Sequence, residues 1–306
     1  MSSNVGKVGI VGFGEIGTSL AKVYENAAIK FVVRDPYQNL NDVVSDCDVV
    51  NVAIPFFGTE KFQVSMLELN LKPGCVLIIH STMLLGTVNE LQKVLPKVIV
   101  VCSPVRGVHP RLTEGLYTFK KYVGFSDQYL NDSTTKALVL KHFTDIGITP
   151  VAVKADEAEL AKAVSTTLYG VFIAAVEDVG RMCDEYGLDF DKVYTQWQQD
   201  YNEGYIKLGK PNVCRPVLTR IPPNEKGEKI IGGHCVVPNA VILATLEPKD
   251  ATKGLTDNIL RYSDKAAQVH HTNAEHVQES QKVLHTVALP ANPTRATAAA
   301  STSSSM

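Results

Sequence analysis

The sequence predicts an α/β domain followed by a mainly α-helical domain built on one long central helix. Three observations predict this class. Short β-branched runs alternate with helical stretches over residues 1–153, an unbroken helical pattern begins at Asp156, and residues 289–306 contain almost no large apolar side chains. The alternation is typical of a parallel sheet covered by helices. We therefore expect domains at 1–153 and 154–288 and a disordered tail at 289–306.

Seven apolar runs in the first domain are predicted to be strands. They span residues 7–11, 30–33, 48–53, 76–79, 98–102, 122–125 and 149–153, and a helix over about 128–145 precedes the last of them. Several runs are apolar at nearly every position, which suits strands that are buried on both faces. We expect these strands to form one parallel sheet.

The long helical pattern runs over residues 156–186 without a break. Asp156 and Glu159 have the spacing of a capping box at its start. Residues 168–179 are apolar nearly all round, so this part of the helix should be buried inside the molecule or in a homodimer. A second, shorter helix is predicted at about 238–246.

The composition is that of an ordinary globular protein and excludes several classes of partner. The chain has 306 residues, 45% hydrophobic and 20% charged, with a net charge of −2. That charge gives no electrostatic reason to expect nucleic acid or an acidic membrane surface as a partner. Its six cysteines form no C-x-x-C pair or zinc spacing, so we expect reduced thiols, no metal site and a cytoplasmic protein.

A glycine-rich loop directly follows the first predicted strand and opens a helix. Its sequence is Gly12-Phe13-Gly14-Glu15-Ile16-Gly17. In this context G-x-G-x-x-G lets the backbone approach a pyrophosphate, which the free N–H groups of the helix also favour. Asp35, after the second strand, is expected to accept the ribose hydroxyls. Neighbouring Arg34 could admit a 2′-phosphate, so we expect a Rossmann domain that binds NAD, with NADP left open.

Three further segments make the chain resemble the UDP-glucose and GDP-mannose dehydrogenases. His80-Ser81-Thr82, followed by Leu85-Gly86-Thr87, is similar to the segment whose threonine lies near the nicotinamide in that family. Ala158-Glu159-Leu160-Ala161-Lys162 resembles the start of the family's central helix. Gly232-Gly233-His234-Cys235 resembles its Gly-Gly-(Ser/His)-Cys motif. The resemblance implies a cofactor contact at Thr82, a catalytic lysine at Lys162 and a nucleophile at Cys235.

The chemistry that the resemblance implies is oxidation of a primary alcohol to an acid. The alcohol first becomes an aldehyde, to which Cys235 adds, and the thiohemiacetal is oxidised again and hydrolysed. A nearby ammonium, from Lys162, would favour the thiolate and stabilise the oxyanions. The expected substrate is a small molecule of the nucleotide-sugar type.

The chain departs from that family at two catalytic positions and in length. Thr166 stands where the family has asparagine, and Asn239 stands where it has aspartate. Only 71 residues follow Cys235, too few for the family's second nucleotide-binding domain, so we expect a shortened form.

Glu159, Lys162 and Thr166 also share one helix face, and alone such a stripe is typical of salt-bridged surface residues.

These departures leave two alternatives open. The first is a two-electron dehydrogenase of a small hydroxy acid, similar to β-hydroxyacid or prephenate dehydrogenases. Lys162 or His109 would move the proton, Arg106 or Arg111 could bind a substrate carboxylate, and Cys235 would be inert. The second is an NAD-binding subunit without catalysis.

Overall fold

The structure is a computed structural model that describes residues 6–232, 235–246, 254–257, 259 and 262. The predicted tail at 289–306 and residues 263–288 of the second predicted domain lie outside the described residues. Within them, an eight-stranded sheet with helices on both faces is followed by a helical region built on one long helix. The predicted fold class is therefore confirmed.

The sheet contains all seven predicted strands and one short extra strand. The strands are β1 (Val8–Val11), β2 (Phe31–Asp35), β3 (Leu40–Asn41), β4 (Val49–Val52), β5 (Val76–Ile79), β6 (Ile99–Cys102), β7 (Lys121–Phe125) and β8 (Pro150–Lys154). Their order across the sheet is β3-β2-β1-β4-β5-β6-β7-β8. Both faces of β1, β4, β5 and β6 are buried, and all their side chains except that of Asn51 are apolar.

Two pairings are antiparallel, and one of them, between β6 and β7, departs from the predicted parallel sheet. β2 pairs antiparallel with β3, and β6 pairs antiparallel with β7. The segment between β6 and β7 contains only one short helix, α4 (Leu112–Thr118).

Helices cover the sheet from both sides. On one face, α4 lies with α1 (Glu15–Asn26) and α5 (Ser133–Asp145), which bury Leu20, Tyr24, Leu116, Val139 and Phe143. On the other face, α2 (Thr59–Leu67) and α3 (Thr87–Val94) bury Phe62, Met66, Val88 and Leu91. The strands thus lie in the middle of three layers, with their carboxyl ends free for a site.

The long predicted helix is α6 (Ala155–Tyr186), and it is followed by α7 (Gln196–Lys207) and α8 (Val236–Ala244). The predicted capping box was wrong: Glu157, not Glu159, accepts a hydrogen bond at the start of α6, from the backbone N–H of Lys154 at 2.9 Å. Glu159 points to another helix. By length and composition alone α6 could cross a membrane. It nevertheless carries buried carboxylates at Glu159 and Glu177, which is typical of a core helix.

Candidate active site

The carboxyl ends of the parallel strands form an edge where the predicted site segments emerge. β1 pairs with β2 on one side and with β4 on the other, so the direction in which the chain winds reverses between β1 and β4. In open α/β sheets, ligands bind outside the carboxyl ends of the strands at such a switch point. The glycine-rich loop follows β1 at this point.

The three glycines of the loop have different surroundings. Gly12 has φ +86°, and a Cβ there would lie 2.7 Å from the carbonyl oxygen of Ala53. A Cβ at Gly17 would lie 2.0 Å from the carbonyl oxygen of Gly12, so α1 packs directly on the loop. A Cβ at Gly14 would meet no atom within 4 Å, and no side chain caps the helix that starts after it. The first backbone N–H groups of α1 therefore have no side-chain cap, and the open space beside them fits a pyrophosphate.

Asp35 holds this loop through its carboxylate. Its Oδ2 accepts the N–H of Phe13 at 2.8 Å and the side-chain amide of Gln38 at 3.0 Å. Gln38 also donates to the carbonyl of Phe13 at 3.0 Å. Sequence reasoning missed Gln38, because a glutamine after a strand carries no signal of its own. The ribose contact of Asp35 and the effect of half-buried Arg34 on the choice of cofactor stay predictions.

Glu15 and Ile16 have separate environments within the loop. Ile16 packs against the apolar core beneath α1. Glu15 lies at the surface, where its carboxylate is 3.0 Å from Nδ1 of His109. His109, one predicted candidate for moving a proton, therefore lies against the start of α1.

The segment after β5 begins with a buried histidine and leads to Thr82. Nδ1 of His80 is 3.0 Å from the carbonyl of Ser103, and Nε2 is 3.0 Å from Oδ1 of Asn51. Asn51 also donates to the Tyr24 hydroxyl at 2.8 Å. Burial lowers the pKa of His80. These bonds fix the start of the segment, and Thr82 is half-buried just beyond it.

Glu159 connects that segment to α6. Its carboxylate accepts the N–H of Gly86 at 2.6 Å and the N–H of Val88 at 2.9 Å. It thereby caps α3, which has no side-chain cap of its own. Burial raises the pKa of Glu159 to about 8, although the two N–H donors oppose the rise. The residue is therefore structural in this arrangement.

Lys162 lies one turn further along the same face of α6. Its Nζ donates to the carbonyl of Val105, in the segment after β6, at 3.1 Å. Burial lowers the pKa of Lys162, the charge of Arg106 lowers it further, and Cys235 opposes both effects. Lys162 and Cys235 thus lie within electrostatic reach of each other. The hydroxyl of Thr166 donates back to the carbonyl of Lys162 at 3.2 Å.

Cys235 directly precedes α8 and is the one exposed cysteine of the six. Its carbonyl accepts the backbone N–H of Asn239 at 3.1 Å and the side-chain amide of Asn239 at 2.6 Å. Oδ1 of Asn239 is buried and has no hydrogen-bond partner within the described residues. A Cβ at Gly170 of α6 would lie 2.4 Å from Val236, so the absent side chain lets α8 pack closely on α6.

A buried carboxylate attaches the segment before Cys235 to α6. Glu177 accepts hydrogen bonds from Arg220 at 3.0 Å, from Lys229 at 2.7 Å and from the N–H of Ile221 at 3.0 Å. Burial raises the pKa of Glu177, but the bonds from Arg220 and Lys229 outweigh it, so the pKa lies below its usual value. Arg220 also pairs with Asp184 at 2.7 Å. Sequence reasoning did not find this cluster.

Two residues of the predicted Gly-Gly-His-Cys motif, Gly233 and His234, lie outside the described residues. Gly232, just before them, is exposed. Within the described ranges no group of three or more His, Cys, Asp or Glu side chains could hold a metal ion.

The sheet order and the loop at its switch point define an α/β fold of the dinucleotide-binding, Rossmann type. Solved structures with a similar fold include the UDP-D-ManNAc dehydrogenase of Pyrococcus horikoshii, with a TM-score of 0.63 and 15% identity over 84% of this chain and 69% of that one. A UDP-glucose dehydrogenase of Pyrobaculum islandicum has a TM-score of 0.64 and 14% identity over 86% of this chain and 69% of that one.

A smaller dehydrogenase is similar over nearly its whole length. The 3-hydroxyisobutyrate dehydrogenase of Mycobacterium tuberculosis has a TM-score of 0.59 and 15% identity, over 88% of this chain and 99% of that one. No protein-family model and no curated protein sequence matches the chain. At these identities the likeness concerns the fold alone.

Proposed function

We propose that the protein is a dehydrogenase that binds a nicotinamide dinucleotide, preferably NAD, and oxidises an alcohol group of a small molecule. The open cradle at Gly14 and the carboxylate of Asp35 at the end of β2 support dinucleotide binding. The fold that the chain shares with several dehydrogenases supports the same class. When bound, the nicotinamide would accept a hydride from the alcohol carbon in each oxidation.

The finer proposal is that Cys235 acts covalently and that Lys162 is its charged partner. The observation that carries it is that Lys162 and Cys235, 73 positions apart in sequence, interact electrostatically in the fold, with Lys162 held on the segment after β6. Lys162 is held there by Val105, whereas Cys235 is exposed. An exposed thiol beside a cationic group has the surroundings of a reactive cysteine.

The two side chains would divide the chemistry as follows. The neutral form of Lys162, which burial favours by lowering its pKa, takes the hydroxyl proton as the alcohol becomes an aldehyde, and the ammonium so formed is the charged partner of Cys235. Sγ of Cys235 then bonds to the aldehyde carbon, and Lys162 returns the proton to the oxyanion, which gives a thiohemiacetal. In the second oxidation the thiohemiacetal carbon would lose its hydride to a second NAD molecule and its hydroxyl would lose its proton to Lys162, which leaves a thioester. One water molecule hydrolyses the thioester to the acid and frees the thiol.

A two-electron oxidation of a small hydroxy acid is the second candidate. It is favoured by the likeness that covers 99% of a 3-hydroxyisobutyrate dehydrogenase. Asn239 also favours it, since an amide cannot act as the base that activates water for thioester hydrolysis. Lys162 would then move one proton, and Cys235 would take no part.

The number of NADH molecules formed per substrate molecule consumed separates the two candidates. Purified protein would be supplied with NAD and a panel of UDP-sugars and small hydroxy acids. The covalent proposal predicts a ratio near two for a primary alcohol substrate. In Cys235→Ser the ratio should fall to near one, with the aldehyde accumulating, because the first oxidation does not need the thiol.

Cys214→Ser is the matched control for this experiment. Cys214 is half-buried, and its Sγ lies 3.7 Å from the carbonyl of Asn202. The control should keep the parent ratio. A ratio of one in the parent that Cys235→Ser leaves unchanged would reject the covalent role and support the two-electron candidate. If NADH binds but none forms with any substrate, the protein is not a dehydrogenase of either class.

A further inference from the structure

The guanidinium of Arg106 is held at the site by aromatic rings. Arg106 directly follows Val105, whose carbonyl accepts the hydrogen bond from Lys162. Its Cζ lies 5.4 Å from the ring centre of Phe119 and 5.3 Å from that of Tyr122. Stacking on ring faces positions the planar guanidinium and leaves the N–H donors on its edge free for a ligand.

The charge of Arg106 has no acidic partner within the described residues. Arg111, five residues on, forms an ion pair with Glu114 and illustrates the usual arrangement. Arg106 instead lies near a second cation, because its charge contributes to lowering the pKa of Lys162. Two neighbouring cations repel each other, and an anion that touches both would turn this repulsion into attraction.

The backbone at Arg106 is also fixed. A Cβ at Gly115 of α4 would lie 3.1 Å from the carbonyl oxygen of Arg106 and 3.0 Å from Cα of Gly107. The helix therefore packs directly against the loop. A cation on a rigid loop gains more from binding an anion than one on a mobile loop, since less conformational freedom is lost.

We propose that Arg106 binds an oxyanion group of the substrate, a carboxylate or a phosphate, and that Lys162 adds to the attraction. The anion would lie beside the segment after β6, within the electrostatic reach of Lys162, which also interacts with Cys235. That this oxyanion belongs to a substrate rests on the proposed function. The anion site itself does not, so the site can be tested without any oxidation of an alcohol.

The test compares an anionic and a neutral alkylating reagent at Cys235. In both reactions Sγ bonds to the methylene carbon and iodide leaves, so the ratio of the iodoacetate rate to the iodoacetamide rate is independent of the thiolate fraction. Cys214→Ser serves as the background, since the remaining four cysteines are buried. Relative to free glutathione, the anion site predicts a higher ratio in the protein.

Three variants locate the source of this preference. Arg106→Gln should lower the ratio roughly threefold at low ionic strength, the effect of one unit charge acting within a Debye length. Arg106→Lys should keep part of the preference, since it keeps the charge and loses the planar fork. Arg111→Gln should match the parent, because that arginine is already paired. Inorganic phosphate should reduce the ratio in the parent and not in Arg106→Gln.

The outcomes separate this inference from the proposed function. Equal ratios in the parent and in Arg106→Gln, or equal losses in Arg106→Gln and Arg111→Gln, would overturn the anion site even if NADH is formed. If the preference for iodoacetate depends on Arg106 but the protein forms no NADH, the anion site is supported and the dehydrogenase activity is rejected. Thermal unfolding of each variant verifies that the fold is intact, and Arg106→Lys retains the test if the glutamine variant is unstable.

Discussion

Replacing Glu177 with glutamine should detach the segment that leads to Cys235 from α6. The carboxylate is fully buried and accepts hydrogen bonds from Arg220, Lys229 and the N–H of Ile221. Glutamine has almost the same shape but no charge, and its amide N–H₂ group would face one of the two cations. The substitution therefore removes the charge pairing while leaving the packing nearly unchanged.

The expected loss follows from the exposure of the three partners. Breaking a fully buried pair costs about 3–5 kcal/mol, and hydrogen bonds to charged groups are worth about 1.5–3 kcal/mol each. Arg220 and Lys229 are 22% and 32% exposed, so each retains some contact with water. Arg220 also keeps its pair with Asp184. We therefore expect a loss of about 2 kcal/mol in the free energy of unfolding.

The assay is denaturant unfolding of the parent, Glu177→Gln and Asp184→Asn, with iodoacetamide reactivity at Cys235 as a local readout. Asp184 contacts the same arginine but is 62% exposed, so its loss should cost less than about 1 kcal/mol. Glu177→Gln should also increase the alkylation rate at Cys235, because the preceding segment opens more often.

The pH dependence gives an independent check. The pKa of Glu177 lies below its ordinary value in the folded state, so its contribution is fully present above that ordinary value and is lost as the pH falls through the lowered one. The stability difference between the parent and Glu177→Gln should therefore shrink in acid. Equal stability of Glu177→Gln and the parent at pH 7, or a loss in Asp184→Asn as large as in Glu177→Gln, would refute the reasoning.

Three further predictions concern the cofactor, the base and the oligomer. Gly14→Val should weaken NADH binding at least about tenfold in a fluorescence titration and should cost under about 1 kcal/mol of stability. Gly17→Ala should instead lower stability, because its Cβ meets the loop backbone. The rate of the parent should rise with pH through a pKa below the ordinary lysine value, and Lys162→Met should abolish this limb and lower the rate about 10²–10⁴-fold. We also propose a homodimer through the exposed apolar face of α6, so Phe172→Glu and Ala175→Glu should sediment as monomers; soluble dimers of both variants would reject this interface.

Most of the sheet could be predicted because its strands are buried on both faces. Runs such as Val76–Ile79 are apolar throughout, and their bounds follow directly from the sequence. Whether a strand pairs parallel or antiparallel with its neighbour is not visible in its own sequence. The residues of β7 are equally compatible with parallel and antiparallel pairing, and the choice depends on how the preceding connection, with its short α4, crosses the edge of the sheet.

In the site, too, local motifs could be predicted from the sequence and long-range contacts could not. The loop at Gly12 could be predicted because a backbone conformation and a close approach demand glycine at fixed spacing. Glu177 and Arg220 could not, since they are 43 residues apart and Arg220 lies in a charged stretch that is typical of solvated loops. Arg106 and Arg111 looked equivalent in sequence, and the structure distinguishes them by the pairing of Arg111 with Glu114 and the stacking of Arg106 on aromatic rings.

The burial of the polar stripe on α6 shows that its residues support the site and are not an ordinary salt-bridged surface. Glu159, Lys162 and Thr166 recur at helical spacing, and Gly170 and Glu177 continue the same face. Along it, Glu159 caps α3, Lys162 holds the segment after β6, Gly170 admits α8, and Glu177 holds the segment before Cys235. A salt-bridged surface would leave these carboxylates in water, whereas both are buried and accept backbone N–H bonds. Because one rigid face fixes all four segments, displacing α6 would move the cofactor side and the thiol side of the site together.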